Sequence, residues 1–456
     1  MYSLIIFIFS ISFAQESGQK ILDLKECIEI AKKKNFDIIL TESNINAAGA
    51  NLTNAFGNYL PALRLSSGFN RSSFQIQRTI PVIDPKTDQI VLDPITGMPQ
   101  TTLAWDFVDA QTYNLGLNAN YTIFDGFNRE ANYSQAQKGV DRAILNTEQT
   151  ISDVTINVYR NYIDVIKKYQ IVKTRKQDIE EGRKMLERIE AQFNAGASQK
   201  GDVYAQEAEL GNREIALIQA ENDLAIAKAK LFGIMGLDPN SEGEFVESAL
   251  ASEISKEEIE KFKDEVGSLD KMIDIAKENR ADFEAAQVQM SSAEDGISRA
   301  KSSYFPTVSA SAAWNWANQE ISNFDKNGRI NFGLSLSLPI FQNFSINNSV
   351  QQNKLQFEQM KNQFLKLEQD LKTILRTSQL NLQAAEKQLD ITGRTLRSAE
   401  LNYQSAKERF EVGGSSIVEL IAANTQFITS KINRINSIYN YILAQKEILY
   451  GIGKLN

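Results

Sequence analysis

The chain has 456 residues, of which 42% are hydrophobic and 23% are charged, with one cysteine and no histidine. This inventory excludes Ser-His-Asp and Cys-His nucleophilic sites, imidazole-ligated metal ions, an internal disulfide and a thiolate zinc site. The 49 Lys and Arg residues are outnumbered by 57 Asp and Glu residues, and the resulting net charge of -8 is opposite in sign to the basic surface that nucleic acid requires.

The first residues predict a secretory signal. An apolar run from Leu4 to Ile11 is followed by Ser12-Phe13-Ala14, which has small residues at the two positions that a signal peptidase reads. We therefore expect residues 1–14 to be a signal peptide, with a buried N-terminal strand or helix as the alternative. Because no Lys or Arg precedes the apolar run, either the true start lies upstream or the free amine supplies the positive charge.

Four segments alternate apolar and polar residues, which predicts four strands in two hairpins. They lie in residues 63–69, 113–123, 307–316 and 330–340. Between the first two segments, residues 77–110 contain half of the prolines of the chain and predict an enlarged surface loop. A single apolar face suits either a water-washed sheet over a core or a membrane barrel with a wet lumen.

The number of strands limits this choice. No amphipathic helix adjoins either hairpin to cover a sheet face, and no apolar run reaches the roughly 18 residues of a spanning helix. A bilayer barrel needs about eight strands or more, and open sheet edges do not survive in hydrocarbon. Four strands per chain therefore demand an oligomer, since two copies give eight strands and three copies give twelve.

Aromatic residues at the predicted strand ends indicate a membrane girdle, with the exposed aromatics of a soluble sheet as the alternative. They are Tyr59, Trp105, Phe124, Tyr304 and Phe341.

Long helices are predicted after each hairpin. The chain has no proline between Gln100 and Leu237 or after Pro339, and apolar or small residues recur there in steps of three and four. At 1.5 Å per residue, a helix from about Arg129 to Asn194 would be roughly 100 Å long, which exceeds a compact domain. Small residues at alternate layers allow many such helices to lie side by side as a wall, while a solid coiled-coil stalk is the alternative.

The second half of the chain repeats the first. Phe124-Asp125-Gly126-Phe127 aligns with Phe341-Gln342-Asn343-Phe344 at an offset of 217 residues, and Phe193 and Gly196 align with Phe410 and Gly413 at the same offset. Each half is therefore predicted to be a strand hairpin that continues into a long helical hairpin.

The helical hairpins are predicted to turn at residues 195–202 and 412–419. Glycine supplies the left-handed conformation that ends a helix, and Asp202 or Glu419 then falls in the first turn of the next helix, where the helix dipole favours an anion. Helix capping by itself accounts for both acids. The functional alternative is a ring of identical chains, which would repeat each acid around one axis and form a carboxylate constriction that attracts cations.

These features together resemble the TolC-like outer-membrane efflux protein family over nearly all of the chain after the signal. The resemblance is carried by the Leu-Pro and Phe-Pro junctions at Pro61 and Pro306, by the two strand-to-helix junctions and by the two Phe-x-x-Gly turns. It implies a homotrimer whose twelve strands form an outer-membrane barrel in contact with outer-membrane lipid, continuous with a periplasmic tunnel of twelve helices. It also implies a periplasmic adaptor protein and an inner-membrane pump of the RND or ABC type as partners.

The resemblance also assigns roles to residues of the two turns. Glu419 takes the place of the family's first aperture aspartate, and Asp202 is the acid of the first turn, whereas the second aspartate position holds Ala422. Ser415 stands where better-known members have a latch arginine, so the resemblance does not assign an Arg-based latch to this chain. The residues expected to form the gate and the adaptor contact are Phe193, Gly196, Phe410, Gly413 and Ser415.

The sequence therefore predicts an α+β membrane protein that acts as a passive exit duct for small molecules in the outer membrane, with a long periplasmic extension. No catalysed reaction, cofactor, metal ion or nucleic-acid partner is expected. Type I protein secretion and a non-conducting coiled-coil tether or adhesin stalk are the alternatives.

The expected boundaries are the signal peptide over 1–14, N-terminal tunnel helices over 15–58, the first strand hairpin over 59–127 with an extracellular loop over 77–110, the first helical hairpin over 128–237, an equatorial linker over 238–268, helices of the second repeat over 269–303, the second strand hairpin over 304–344 and the second helical hairpin over 345–456.

Overall fold

A computed structural model describes residues 21–246 and 253–455, so the predicted signal peptide lies outside the described residues. The chain divides into two compact units. The helical unit comprises the described residues of 1–49, 138–290 and 359–456, and the sheet unit comprises residues 50–137 and 291–358. Each unit therefore contains segments from both halves of the duplicated sequence.

The order of the elements follows the predicted duplication. The helices of the described residues are α1 (Leu24–Lys34), α2 (Phe36–Gly57), α3 (Asn128–Asn194), α4 (Lys200–Ile234), α5 (Lys256–Val266), α6 (Leu269–Asn279), α7 (Ala281–Ser302), α8 (Ser345–Glu411) and α9 (Ile417–Gly451). The strands are β1 (Ile21–Leu22), β2 (Ala62–Pro81), β3 (Thr101–Phe124), β4 (Glu244–Phe245), β5 (Thr307–Asn318) and β6 (Arg329–Ser337). The helices α3 and α8 have 67 residues each, and α4 and α9 have 35 each. Across the described residues, none of the helices has both the length and the apolar character needed to cross a membrane.

The core of the helical unit forms around α3. Tyr162 is fully buried, donates a hydrogen bond from Oη to the Val246 carbonyl at 3.0 Å, and packs edge to face on Phe245 with the ring centroids 6.0 Å apart. Phe245 lies in β4, which pairs in parallel with β1. The segment predicted as a linker over 238–268 therefore contains a strand and α5, and Phe245 takes part in the packing of the core.

The predicted seam of α8 is buried in the helical unit, as the side chains of Leu371, Leu375, Leu382 and Leu389 show. In α3 the recurring apolar residues are not all buried within the chain, since Ile144 and Tyr169 are 40% and 45% exposed. A periodic apolar stripe identifies one face of a helix but not the neighbour that covers it at each height.

The sheet unit contains one antiparallel sheet in the order β2-β3-β5-β6, which confirms the two predicted hairpins. Leu65, Leu117, Trp314 and Ile330 stand side by side across the four strands, so the apolar residues of all four strands share one face. The strand predicted over 330–340 ends at Ser337. It stops before Pro339 because proline lacks the N–H group that a continued ladder needs.

The hairpin of β2 and β3 is longer than predicted. Pairing of β2 with β3 continues for twelve residue pairs beyond the point where β5 last pairs with β3, from Asn70↔Thr112 to Pro81↔Thr101. The predicted loop over 77–110 is therefore wrong for residues 77–81 and 101–110, and the connection itself is closed by the bridges Ile83↔Ile90 and Leu92↔Pro99. The prolines lie at the ends of strands and in turns, where no ladder hydrogen bond is lost, so they mark turns and not a long open loop.

The two strand-to-helix junctions of the sheet unit share one backbone conformation. Each has two consecutive residues with positive φ, followed by a helix, and each has two phenylalanine rings packed edge to face at 87°. The positive-φ residues are Gly126 (+70°), Phe127 (+69°), Asn343 (+47°) and Phe344 (+60°). The left-handed region favours Gly and Asn, which explains why these two residue types replace one another between the repeats.

We predict that Gly236→Ala destabilises the helical unit. Gly236 has a φ of +70°, and a Cβ atom there would lie 2.1 Å from the carbonyl oxygen of Lys34. Gly233→Ala is the matched control, because a Cβ at this position of α4 has no atom within 4 Å, and the change should stabilise by up to about 1 kcal/mol. Thermal unfolding followed by circular dichroism measures both variants, and equal midpoints would contradict the close approach of α4 to α1.

Candidate functional site

The turns that join α3 to α4 and α8 to α9 have the same backbone structure. Gly196 and Gly413 both have a φ of +76°, and a Cβ added to either would meet no atom within 4 Å. The hydrogen bonds run from Gly196 N to Phe193 O (2.9 Å), Ala197 N to Gln192 O (2.8 Å), Gly413 N to Phe410 O (3.1 Å) and Gly414 N to Arg409 O (2.7 Å). These are Schellman motifs, which need glycine for its backbone freedom and not for space.

The two predicted aperture acids are each the third residue of a helix but are held differently. The carboxylate of Asp202 accepts hydrogen bonds from Ser198 Oγ at 2.9 Å and from the Gln199 N–H at 3.2 Å. Glu419 donates its backbone N–H to Ser416 Oγ at 3.2 Å, and its carboxylate pairs with the guanidinium of Arg409. Asp202 therefore completes the cap of its own helix, whereas Glu419 reaches across the turn to α8.

Sequence reasoning missed the arginines of this region. Arg409 pairs with Glu419, and Arg188 of α3 pairs with Glu411 at the end of α8 with a nitrogen–oxygen distance of 2.5 Å. The second pair joins the two helical hairpins of one chain. The turn pattern itself could have indicated Arg409, because the Schellman motif returns the chain after the glycine to the carbonyl of this residue, close to the start of α9.

A small apolar cluster beneath the turns contacts two further predicted gate residues, Phe410 and Ser415. Its buried members are Ile189, Val203, Ala406, Ile417, Leu420 and Ala423. Phe410 packs against this cluster, and Ser415 donates from Oγ to the Ala406 carbonyl at 3.2 Å. Phe193 is 38% exposed. The structure therefore brings Phe410 and Ser415 to the inner side of the turn and leaves part of the Phe193 side chain accessible.

A buried polar cluster lies farther from the turns and joins three helices. Arg213 of α4 and Asp178 of α3 form an ion pair at 3.0 Å, and their side chains are only 8% and 4% exposed. Asn424 of α9 donates from Nδ2 to the same Asp178 carboxylate at 3.0 Å. Arg213 also donates to the Asp178 carbonyl at 3.0 Å and pairs with Glu209 at 3.2 Å. The guanidinium and the carboxylate are thus paired and hydrogen-bonded, as buried charges must be.

Two aromatic rings lie beside this cluster, where they line a cavity together with Asp178 and Asn424. Tyr403 of α8 and Phe427 of α9 stack with an interplanar angle of 3° and a centroid distance of 5.5 Å. Burial raises the pKa of the Tyr403 phenol above its ordinary value, with the nearby Glu181 carboxylate acting in the same direction. The phenol therefore stays neutral under physiological conditions, and this layer contributes packing and not charge.

Four of the five predicted girdle aromatics lie at one end of the sheet, where strands meet helices. They are Tyr59, Phe124, Tyr304 and Phe341. The ring of Tyr59 packs edge to face on Tyr133 with a centroid distance of 6.2 Å. The prediction that Trp105 lies at a strand end is wrong. Trp105 pairs with Gln77 in the two-stranded part of the hairpin, eight residues before β5 begins to pair with β3 at Tyr113. The expected strand end is absent there because the ladder continues to Thr101.

The chain matches the protein family described as "Outer membrane efflux protein" over residues 27–237 and 272–453. It is 22% identical over 385 residues to "Outer membrane protein TolC" of Escherichia coli (strain K12), a match that covers 79% of this chain and 75% of the relative.

Solved structures show the same fold. The Campylobacter jejuni CmeC outer membrane channel has a TM-score of 0.74 and 16% identity, and the match covers 100% of this chain and 94% of that chain. The outer membrane protein VceC of Vibrio cholerae has a TM-score of 0.73 and 15% identity, covering 94% of this chain and 96% of that chain. The predicted combination of long helices and a sheet is thereby confirmed.

We predict that Arg213→Ala destabilises the protein by about 3–5 kcal/mol, because it leaves the buried Asp178 carboxylate without its cation. Arg183→Ala is the matched control, since Arg183 of α3 pairs with Glu180 and Glu214 but its side chain is 58% exposed, and its loss should cost less than about 1 kcal/mol. Thermal unfolding in detergent compares the two. If both variants unfold at the same temperature as the unchanged protein, the buried ion pair does not stabilise the packing of the helices.

Proposed function

The chain belongs to the outer membrane efflux protein family, and on this premise we propose that it is the passive exit duct of a tripartite efflux system. Three copies form the duct, as a twelve-stranded barrel in the outer membrane continuous with a periplasmic tunnel of twelve helices. A periplasmic adaptor and an inner-membrane pump of the RND or ABC type deliver small molecules to it. The members of this family are channels and not enzymes, and the duct itself catalyses no reaction.

The observation that carries the proposal is the one-sided sheet. Its apolar face consists of exposed side chains, among them Leu65 (70% exposed), Phe332 (82%) and Leu336 (71%). Within the described residues, β2 and β6 each pair on one side only. Lipid against the apolar face, water against the polar face and neighbouring copies at the two edges would satisfy every group of the sheet.

The aromatic residues support an orientation of the sheet. Tyr59, Phe124, Tyr304 and Phe341 all lie at the end where the helices begin. Tyr and Trp concentrate at membrane–water interfaces because one part of the ring system is apolar and another part is polar. We therefore assign these four residues to the girdle on the periplasmic side of the membrane. We place Trp105 in the two-stranded extension of the hairpin, beyond the opposite end of the sheet.

The turns support the expected contact with an adaptor. Val412 and Val418 flank the second turn and are 84% and 66% exposed. Exposed apolar side chains beside charged pairs are suited to binding another protein. We place the adaptor contact at these side chains together with Phe193 and the two turn glycines, Gly196 and Gly413.

We predict that the purified protein is a trimer in detergent and opens ion-conducting pores in planar bilayers. Leu334→Arg should prevent insertion, because a charge on the lipid face costs about 2–4 kcal/mol at the middle of the bilayer. Ser335→Arg is the matched control on the polar face and should still insert and conduct.

Size-exclusion chromatography with light scattering and single-channel recording provide the measurements. A monomer that is soluble without detergent and never conducts would contradict the duct and favour a coiled-coil tether. Equal behaviour of the two arginine variants would contradict the assignment of the faces.

A further inference from the structure

Arg409 stands directly against one of the two aperture acids. Its guanidinium pairs with the Glu419 carboxylate within the same chain, and the two side chains are 49% and 45% exposed. We propose that Arg409 determines the ion selectivity of the second turn by compensating the charge of Glu419, so that this turn does not form a cation-attracting carboxylate ring. The inference rests on the proposed function, because the charge of a turn affects transport only if the turns surround a pore.

The backbone of the turn holds the two residues in place. Arg409 is the third-last residue of α8, and its carbonyl accepts the Gly414 N–H at 2.7 Å. Glu419 is the third residue of α9, and its N–H donates to the side chain of the cap residue Ser416. Two helix-end motifs therefore set the separation of these positions, and the pairing does not depend on a flexible loop.

The duplication supplies an internal comparison. At the offset of 217 residues, Gln192 corresponds to Arg409 and Asp202 corresponds to Glu419. The backbone of the two turns is the same, but the first turn has a neutral glutamine where the second has a guanidinium. Among the ion pairs of the described residues none includes Asp202, which accepts from Ser198 and Gln199 instead. The nearest lysine in sequence, Lys200, lies over the ring of Tyr204 at 5.4 Å.

The consequence for a pore follows from the charges. Three copies of the second turn bring three Glu419 carboxylates and three Arg409 guanidinium groups, so the pairs form a ring of dipoles with no net charge. Both members of each pair lie well within the screening length of about 10 Å at 0.1 M salt, so a passing ion experiences both. The carboxylate of Glu411 adds no net negative charge at the second turn, because it is paired with Arg188. Of the two aperture acids, Asp202 is then the one whose charge no ion pair of the described residues compensates.

This arrangement defines the class of solute that the second turn admits. A bare carboxylate ring attracts cations and rejects anions, whereas a compensated ring has no strong preference for either sign. The second turn therefore admits anionic small molecules as well as neutral and cationic ones.

Planar bilayers with a KCl gradient test the proposal through the reversal potential, which gives the permeability ratio of K⁺ to Cl⁻. Arg409→Gln should raise this ratio at least about threefold, because it uncovers the Glu419 carboxylates and makes the second turn resemble the first. Glu419→Gln should lower the ratio, because it leaves the guanidinium groups uncompensated. The double variant R409Q/E419Q should return to the value of the unchanged protein.

Gln192→Arg is the reciprocal variant at the first turn. It should lower the permeability ratio by compensating Asp202 in the same way. If Arg409→Gln and Glu419→Gln both conduct with the permeability ratio of the unchanged protein, Arg409 does not set selectivity and the inference is overturned. If the unchanged protein forms no pores, the proposed function itself fails, and this outcome is distinct from the first.

Discussion

The free edges of β2 and β6 are the constraint on which the rest of the molecule depends. Within the described residues the sheet ends on both sides with unpaired backbone groups, and its apolar face is exposed. The apolar face is unfavourable in water, and the unpaired N–H and C=O groups of the two edges are unfavourable in hydrocarbon, so an isolated chain is suited to neither solvent. An assembly of identical chains would meet both needs at once, and this is the physical reason for proposing a duct built from several four-stranded sheets.

The duplication reproduces the backbone more faithfully than the side chains. The four long helices begin and end at positions that differ by 217 residues, and the paired turns share their hydrogen bonds and glycine conformation. Side chains at corresponding positions have nevertheless diverged, as Gln192 and Arg409 illustrate. A repeated backbone allows this divergence because the motifs that end helices depend on glycine and on main-chain groups, and the neighbouring side chains are free to carry different charges.

Charge serves two purposes in the helical unit. Asp178, Arg213 and Asn424 are buried and join three helices, so the loss of one member leaves another without a partner in a low-dielectric environment. The pairs near the turns, such as Arg409 with Glu419, are half exposed and contribute little to stability. The exposed pairs can therefore change in evolution with small effects on folding, and they alter the field near the proposed pore.

Local sequence patterns were enough to predict the strand hairpins, the long helices, the glycine turns and the offset of the repeat, because alternation, helical periodicity and turn glycines are properties of neighbouring residues along the chain. They misjudged residues 77–110 because proline counts indicate turns but not how far a ladder extends between them. The contact of Asn424 with Asp178, 246 residues away, and the pairing of Arg409 with Glu419 became visible in the folded chain. These contacts depend on which helix lies beside which and at what rotation, and a periodic pattern on one helix does not contain that information.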